Sequence, residues 1–207
     1  MGLCIAIIAV LGYLLGNLNG AICVSKLLGD DVREHGSGNA GLTNFIRNYG
    51  AGRSVLVIVI DAGKAVVACC IGGLLLRNTD LGYQTGAVIG GAAVMLGHVF
   101  PVFYGFRGGK GILSGLFIAI VVDWRIALLI LAVFALAYLT TQYVSLGSVL
   151  AAVTFAISFL ILHNGNPIVM ICGFFMGALA TFMHRENISR LLKGQERKTN
   201  LFKKEKE

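Results

Sequence analysis

Long apolar runs decide what this chain can become. They lie at 3–28, 53–76, 83–103, 111–122, 126–139, 144–162 and 167–183, each bounded by charge or turn residues. Of 207 residues, 57% are hydrophobic and only 13% charged. A water-soluble domain is about a quarter charged and has no cause to repeat such runs. The sequence therefore reads as an all-α, polytopic integral membrane protein, one domain over 1–207, because a spanning backbone must satisfy its own hydrogen bonds. The 28 glycines suit this class, since close helix contacts in lipid favour small residues. Gly86, Gly90 and Gly91 beside Ala87, Ala92 and Ala93 mark one such packing face.

Two runs, 111–122 and 126–139, fall short of the ~20 residues that cross a bilayer. Merging them across Asp123-Trp124-Arg125 gives six spans, and keeping them apart gives seven. Loop charge arbitrates. Residues 26–53 carry Lys26, Arg33, Arg47 and Arg53, whereas the next loop has only Arg77. The following loop has Arg107 and Lys110, and residues 184–207 hold eight Lys/Arg against four Glu. Basic segments stay in the cytoplasm, which requires an odd count. The expectation is seven transmembrane helices with two short central spans, the N-terminus outside and the C-terminus cytoplasmic. The first run lacks a basic leader and a cleavage site, so it reads as a retained span.

The net charge of +7 does not indicate nucleic acid, because no base-reading module or stacking pattern accompanies it. A basic tail beside anionic membrane lipid accounts for it. The five cysteines lie in apolar runs without paired spacing, and nothing resembles a zinc ligand set. No metal or cofactor is expected.

Polar groups gather in three islands, all facing the cytoplasm in this arrangement. The first, residues 36–44, combines Gly36, Gly38 and Gly41 with the hydroxyls of Ser37 and Thr43 and the amides of Asn39 and Asn44. Glycine-rich backbone of this kind can turn N–H groups toward an anion, and Arg47 would add a guanidinium fork. The same residues also suit an ordinary cytoplasmic turn. In the second island, Arg107-Gly108-Gly109-Lys110-Gly111 directly precedes an apolar helix starting near Ile112. Free N–H groups at a helix start, the helix dipole and Lys110 make a phosphate cradle. It is not a Walker A loop, since Tyr104 stands where glycine is required and Gly111 follows the lysine. His98, upstream in this island, fits a structural role as well as a site.

The third island closes the last run. His184 and Asn187 share a helical face, while Arg185 and Glu186 point elsewhere, and Arg185 and Arg190 fit a plain basic helix end. Asp61 and Lys64, one turn apart inside the second run, neutralise each other and buttress the site or join it. Ser145 lies near a helix start on the same side, and His163 reads as interfacial only. No Gly-x-Ser-x-Gly elbow is present, and no histidine is followed five positions on by Asp.

With these islands placed, the chain resembles the bacterial PlsY-type glycerol-3-phosphate acyltransferases over nearly its whole length. The family pattern Gly-Ser-Gly-Asn-x-Gly-x-Thr-Asn matches 36–44, with Leu42 at a place usually small. Gly-His-x-x-Pro-x-Phe followed by Lys-Gly-Gly-Lys-Gly matches 97–111, with Arg107 for the first lysine. Leu113-Ser114 replaces a small residue plus Thr, and His-Arg-x-Asn-Ile matches 184–188. The resemblance implies acyl transfer from acyl phosphate to the 1-hydroxyl of glycerol 3-phosphate, without a cofactor, by a monomer in the bacterial plasma membrane. It implies that Ser37, Arg47, Lys110, Ser145, His184 and Asn187 surround two phosphates, with backbone contacts from Gly108, Gly109 and Gly111. Asp61, Lys64, His98 and Glu186 take supporting places. A small-anion or lipid-phosphate transporter would also need a basic cradle among helices, but should show polar breaks in both halves and an internal repeat. No repeat is visible here.

Overall fold

The computed structural model describes residues 1–198, so part of the basic tail, 199–207, lies outside the described residues. Among the described residues ten α-helices follow in order: α1 Gly2–Gly16, α2 Gly20–Leu27, α3 Leu42–Tyr49, α4 Ala51–Leu76, α5 Gly82–Val99, α6 Ile112–Val122, α7 Trp124–Thr141, α8 Val144–Leu162, α9 Pro167–Met183 and α10 Arg185–Leu192. The described residues contain no strand. Leucine, isoleucine and valine side chains such as Val55, Val59, Leu128, Leu139, Ile157 and Ile161 stand exposed on the outer faces of α4, α7 and α8. An exterior this apolar belongs to a protein whose surroundings are lipid.

Five segments are long and apolar enough to cross a membrane: Gly2–Leu27, Ala51–Leu76, Gly82–Tyr104, Trp124–Thr141 and Val144–Leu162. The α9–α10 pair, bent by 53°, makes a sixth if counted as one span. Asp123 keeps α6 and α7 separate. Its backbone is extended and its carboxylate accepts from Arg125 N at 3.0 Å, capping α7. That cap brings Trp124 and Arg125 into α7, which reaches 18 residues rather than the 14 its apolar run suggests. α6 remains at 11 residues, about 16 Å long at 1.5 Å per residue.

Helix directions alternate between two ends of the bundle. At one end Gln84 donates to Val122 O at 3.1 Å, Asn166 donates to Thr85 Oγ1 at 3.0 Å, and His163 lies 3.1 Å from Asp123. His163 is therefore a buried tie at this end rather than a merely interfacial residue. The opposite end gathers the three polar islands. Where α4 and α5 cross, Gly72 and Gly86 face each other so closely that a methyl group on either would strike the other's carbonyl oxygen. This contact sets the spacing of α4 and α5, and the second island follows the other end of α5.

The first apolar run is broken, not continuous. Asn17-Leu18-Asn19 interrupts it, and Asn19 Oδ1 accepts from Ile22 N at 3.1 Å to start α2. The carbonyl of Leu18, released from helical pairing, accepts from Lys64 Nζ at 2.9 Å. Gly20 N donates to Asp61 Oδ1 at 3.0 Å. The Asp61–Lys64 pair, joined at 2.7 Å, thus caps both sides of a helix break inside an apolar bundle.

Candidate active site

The first island folds around one side chain. Asn44 Nδ2 donates to the carbonyls of Val32, His35 and Asn39 at 3.1, 3.0 and 3.1 Å, and its Oδ1 accepts from Ser37 N at 3.0 Å. Gly36 and Gly38 take positive φ (59° and 68°), which turns the loop back over this amide. Asn44 and both glycines shape the loop, and the loop presents Ser37, Asn39 and Thr43 on a cavity wall.

The second island corrects an expectation. The amides of Gly108 and Gly109 are not open to an anion. They donate to Val99 O at 3.2 Å and His98 O at 3.1 Å, capping the C-terminal end of α5. Helix-end carbonyls need such donors, and these two peptides supply them. The pair must be glycine for a packing reason. A methyl group on Gly108 would meet His98 O and one on Gly109 would meet His98 Nε2. Open N–H groups begin only at the start of α6. Gly111 has φ 83° and caps α6, whose ladder starts with Gly115 N to Gly111 O at 2.7 Å. The N–H groups of Ile112, Leu113 and Ser114 therefore lie outside that ladder.

The third island continues past the end of α9. His184 Nδ1 is 2.7 Å from Ala180 O, so the ring carries its proton there and Nε2 is the lone pair of the neutral imidazole. Asn187, one turn on, accepts from Lys110 Nζ. Burial lowers the Lys110 ammonium to about 8, with Arg190 pushing the same way.

These parts converge on one cavity of about 300 Å³. Its polar end holds Ser37, Asn39, Thr43, Arg47, Lys110, Gly111, Ser145, His184 and Asn187. Asp61 and His98 reach its wall, and Lys64 stands behind them, with Nζ 2.7 Å from His98 Nδ1. The Ser145 hydroxyl is buried without a hydrogen-bond partner among the described residues. Such an atom on a cavity wall is suited to a ligand. Gly36, Gly38, Gly108, Gly109 and Glu186 do not line the cavity, and Glu186 is solvent-exposed. Away from the charges the wall turns apolar, with Leu113, Leu116, Ile130, Leu131, Phe134 and Ala151. A smaller void of about 20 Å³ continues from it toward Met95, Phe155 and Met176. Among the described residues no cluster of His, Cys, Asp or Glu could hold a metal ion.

Arg190, Glu196 and Ser148 also line the cavity and were not expected there. Arg190 was legible, since it lies three residues after Asn187 on the same helical face. Glu196 follows the helix and carries no local signal.

A pocket with cations at one end and hydrocarbon at the other suits a phosphorylated amphiphile. The glycerol-3-phosphate acyltransferase family model matches residues 6–194. The chain belongs to this family. The glycerol-3-phosphate acyltransferase of Thermoanaerobacter sp. (strain X514) is 41% identical over 191 residues, covering 92% of this chain and 93% of the relative. That of Clostridioides difficile (strain 630) is 38% identical, covering 93% and 94%. The crystal structure of PlsY (YgiH), an integral membrane glycerol 3-phosphate acyltransferase, in its glycerol 3-phosphate form superposes with a TM-score of 0.84 at 34% identity, over 96% of this chain and 99% of that one. Its lysophosphatidic acid form gives 0.81 at 33%, covering 95% of each. This family member is accordingly an integral membrane acyltransferase.

Proposed function

We propose that the cavity transfers a fatty acyl group from acyl phosphate to the 1-hydroxyl of glycerol 3-phosphate. The new ester bond makes lysophosphatidic acid, and the acyl–phosphate bond breaks to release inorganic phosphate. One observation carries this reading: a single cavity joins Lys110, Arg47 and the unpartnered Ser145 hydroxyl to an apolar wall of Leu113, Leu116, Ile130, Leu131 and Phe134.

Acyl phosphate is a mixed anhydride, already activated, so no covalent enzyme intermediate is needed. The protein must instead hold two mutually repelling anions together and stabilise the tetrahedral oxyanion. Lys110 and the open start of α6 hold the leaving phosphate, while Arg47 and Ser37 hold glycerol 3-phosphate. Ser145, His184 and Asn187 complete the ring of donors. The donor's own phosphate accepts the hydroxyl proton. His184 Nε2, unprotonated when Nδ1 faces Ala180 O, is the competing acceptor.

The same proposal includes seven crossings, with the N-terminus outside and this cavity facing the cytoplasm of a bacterial cell. The alternation of helix directions supports it, since α6 runs between the two ends despite its length. Its backbone is shielded there by α4, α5, α7 and α8. The proposal also takes a monomer as the active unit.

The deciding assay gives purified protein glycerol 3-phosphate with either acyl phosphate or acyl-CoA. Ester formed only from acyl phosphate, and lost in Lys110→Ala, is the expected result. Ester formed only from acyl-CoA would overturn the donor assignment. Solute movement across vesicles without ester would favour transport.

A further inference from the structure

A carboxylate stands in the cationic wall of the cavity. Glu196 lies beyond α10, on a segment without regular secondary structure, and its side chain is only 6% exposed. One carboxylate oxygen accepts from Arg190 Nε at 2.8 Å and the other from Asn187 Nδ2 at 3.2 Å. The opposite end of the Asn187 amide accepts from Lys110. A planar anion thus bridges a guanidinium and an amide beside an ammonium, which is the constellation that binds a phosphate oxygen pair.

The segment is also fixed further along. It leaves α10 through Gly194 at φ 65°, and Gln195 N donates to Arg190 O at 2.8 Å. Lys198 Nζ then stands 5.6 Å from the ring centre of Tyr143, two residues before Ser145. Residues 193–198 therefore cross from α10 to the turn before α8 as a strap. Along the strap Lys193, Gly194, Gln195, Arg197 and Lys198 are exposed, and Glu196 turns inward.

We propose that Arg190 and Asn187 form a subsite for the phosphate dianion of a substrate, filled at rest by the Glu196 carboxylate, and that the substrate binds by displacing the strap. The inference rests on the cavity being a phosphate-handling site. Exchange of one anion for another keeps Arg190 and Asn187 hydrogen-bonded in both states, so neither loses its partner when the strap moves. A dianion with three oxygens and Lys110 within reach outcompetes a monoanion with two. The strap lowers apparent affinity by the fraction of molecules in which it is shut. The dianion belongs to the donor or to the acceptor, and the kinetics distinguish them.

The test uses the full chain in detergent at neutral pH. Trypsin cutting after Lys193 and Arg197 is followed by intact mass, with inorganic phosphate or with chloride at equal ionic strength. Phosphate should speed the cutting and chloride should not. Glu196→Gln should lower the KM of one substrate about three- to tenfold, and the substrate affected names the source. Arg190→Gln should raise that same KM about tenfold, and in its background Glu196→Gln should have no further effect. Cutting unchanged by phosphate, or KM values that rise or stay within about twofold in Glu196→Gln, overturns the proposal. If that variant does not accumulate, a chain ending at Gln195 substitutes for it. A wild-type chain that forms no ester from glycerol 3-phosphate sinks the acyltransfer reading alone, because the phosphate-dependent cutting still decides the subsite.

Discussion

The ammonium of Lys64 lies 2.7 Å from His98 Nδ1, so His98 accepts there and carries its proton on Nε2, the atom that faces Gly109. The remaining hydrogens of Lys64 go to Asp61 and the carbonyl of Leu18. One buried cation therefore ties the break in the first span to the end of α5, and through His98 to the glycine pair before Lys110. Lys64→Met should destabilise the fold by about 3–5 kcal/mol, because it strands the Asp61 carboxylate and the Leu18 carbonyl. Thermal unfolding in detergent measures this, and Asp61→Asn with Lys64→Met should recover part of the loss. A wild-type melting temperature in the single variant would contradict the capping role.

Gly109→Ala and Gly108→Ala should lower stability by about 1–3 kcal/mol, since each methyl group collides with the His98 end of α5. A pure phosphate-contact role would instead raise KM and leave the melting temperature alone. Gly63→Ala is the control, because nothing lies within 4 Å of the added carbon.

Lys110 supplies a pH limb. Its pKa is lowered to about 8, below the ordinary lysine value, because burial disfavours the charge. KM for a phosphate substrate should be flat from pH 6.5 to 7.5 and rise as pH climbs past about 8. The sign for stability is opposite. Between about pH 8 and 10 the unfolded chain keeps a proton that the folded chain has released, so stability rises with pH there. Lys110→Arg should push the KM limb above the measurable range, and a limb that stays in place would assign it to another group.

Ala151 lines both the main cavity and the smaller void beyond it. Ala151→Phe should therefore shorten the accepted alkyl chain. The ratio of kcat/KM for an eight-carbon over a sixteen-carbon acyl donor should increase at least tenfold, about 1.4 kcal/mol. An unchanged ratio would place the chain elsewhere.

The residues differ in how much of this was legible beforehand. Ser37, Lys110, His184 and Asn187 were legible as one group because each island is a polar interruption of lipid-compatible sequence, and lipid tolerates few of those, whereas Ser145 joined them only through the family resemblance. The break at Asn17-Leu18-Asn19 was invisible. Two asparagines in a 26-residue apolar run look like tolerated polar residues until a lysine 46 positions after Leu18 is seen to donate to the Leu18 carbonyl between them. The double glycine gave the right location and the wrong reason, since N–H groups before a helix look free until the preceding helix claims them. Glu196 lay in a stretch whose basic charge suggested a tail lying on lipid, and only the fold turns one of its acids inward.

The brevity of α6 has a consequence for where the two reactants can meet. α6 and α8 meet at their far ends, where Asp123 lies 3.1 Å from His163, and α8, with 19 residues against 11, is about 12 Å the longer. In the proposed reaction a small water-borne phosphate ester comes in among longer helices to reach Lys110. On the same reading a donor carrying a hydrocarbon tail approaches that point from the apolar side, past Leu113, Leu116 and Ile130, so the two reactants reach Lys110 from opposite surroundings.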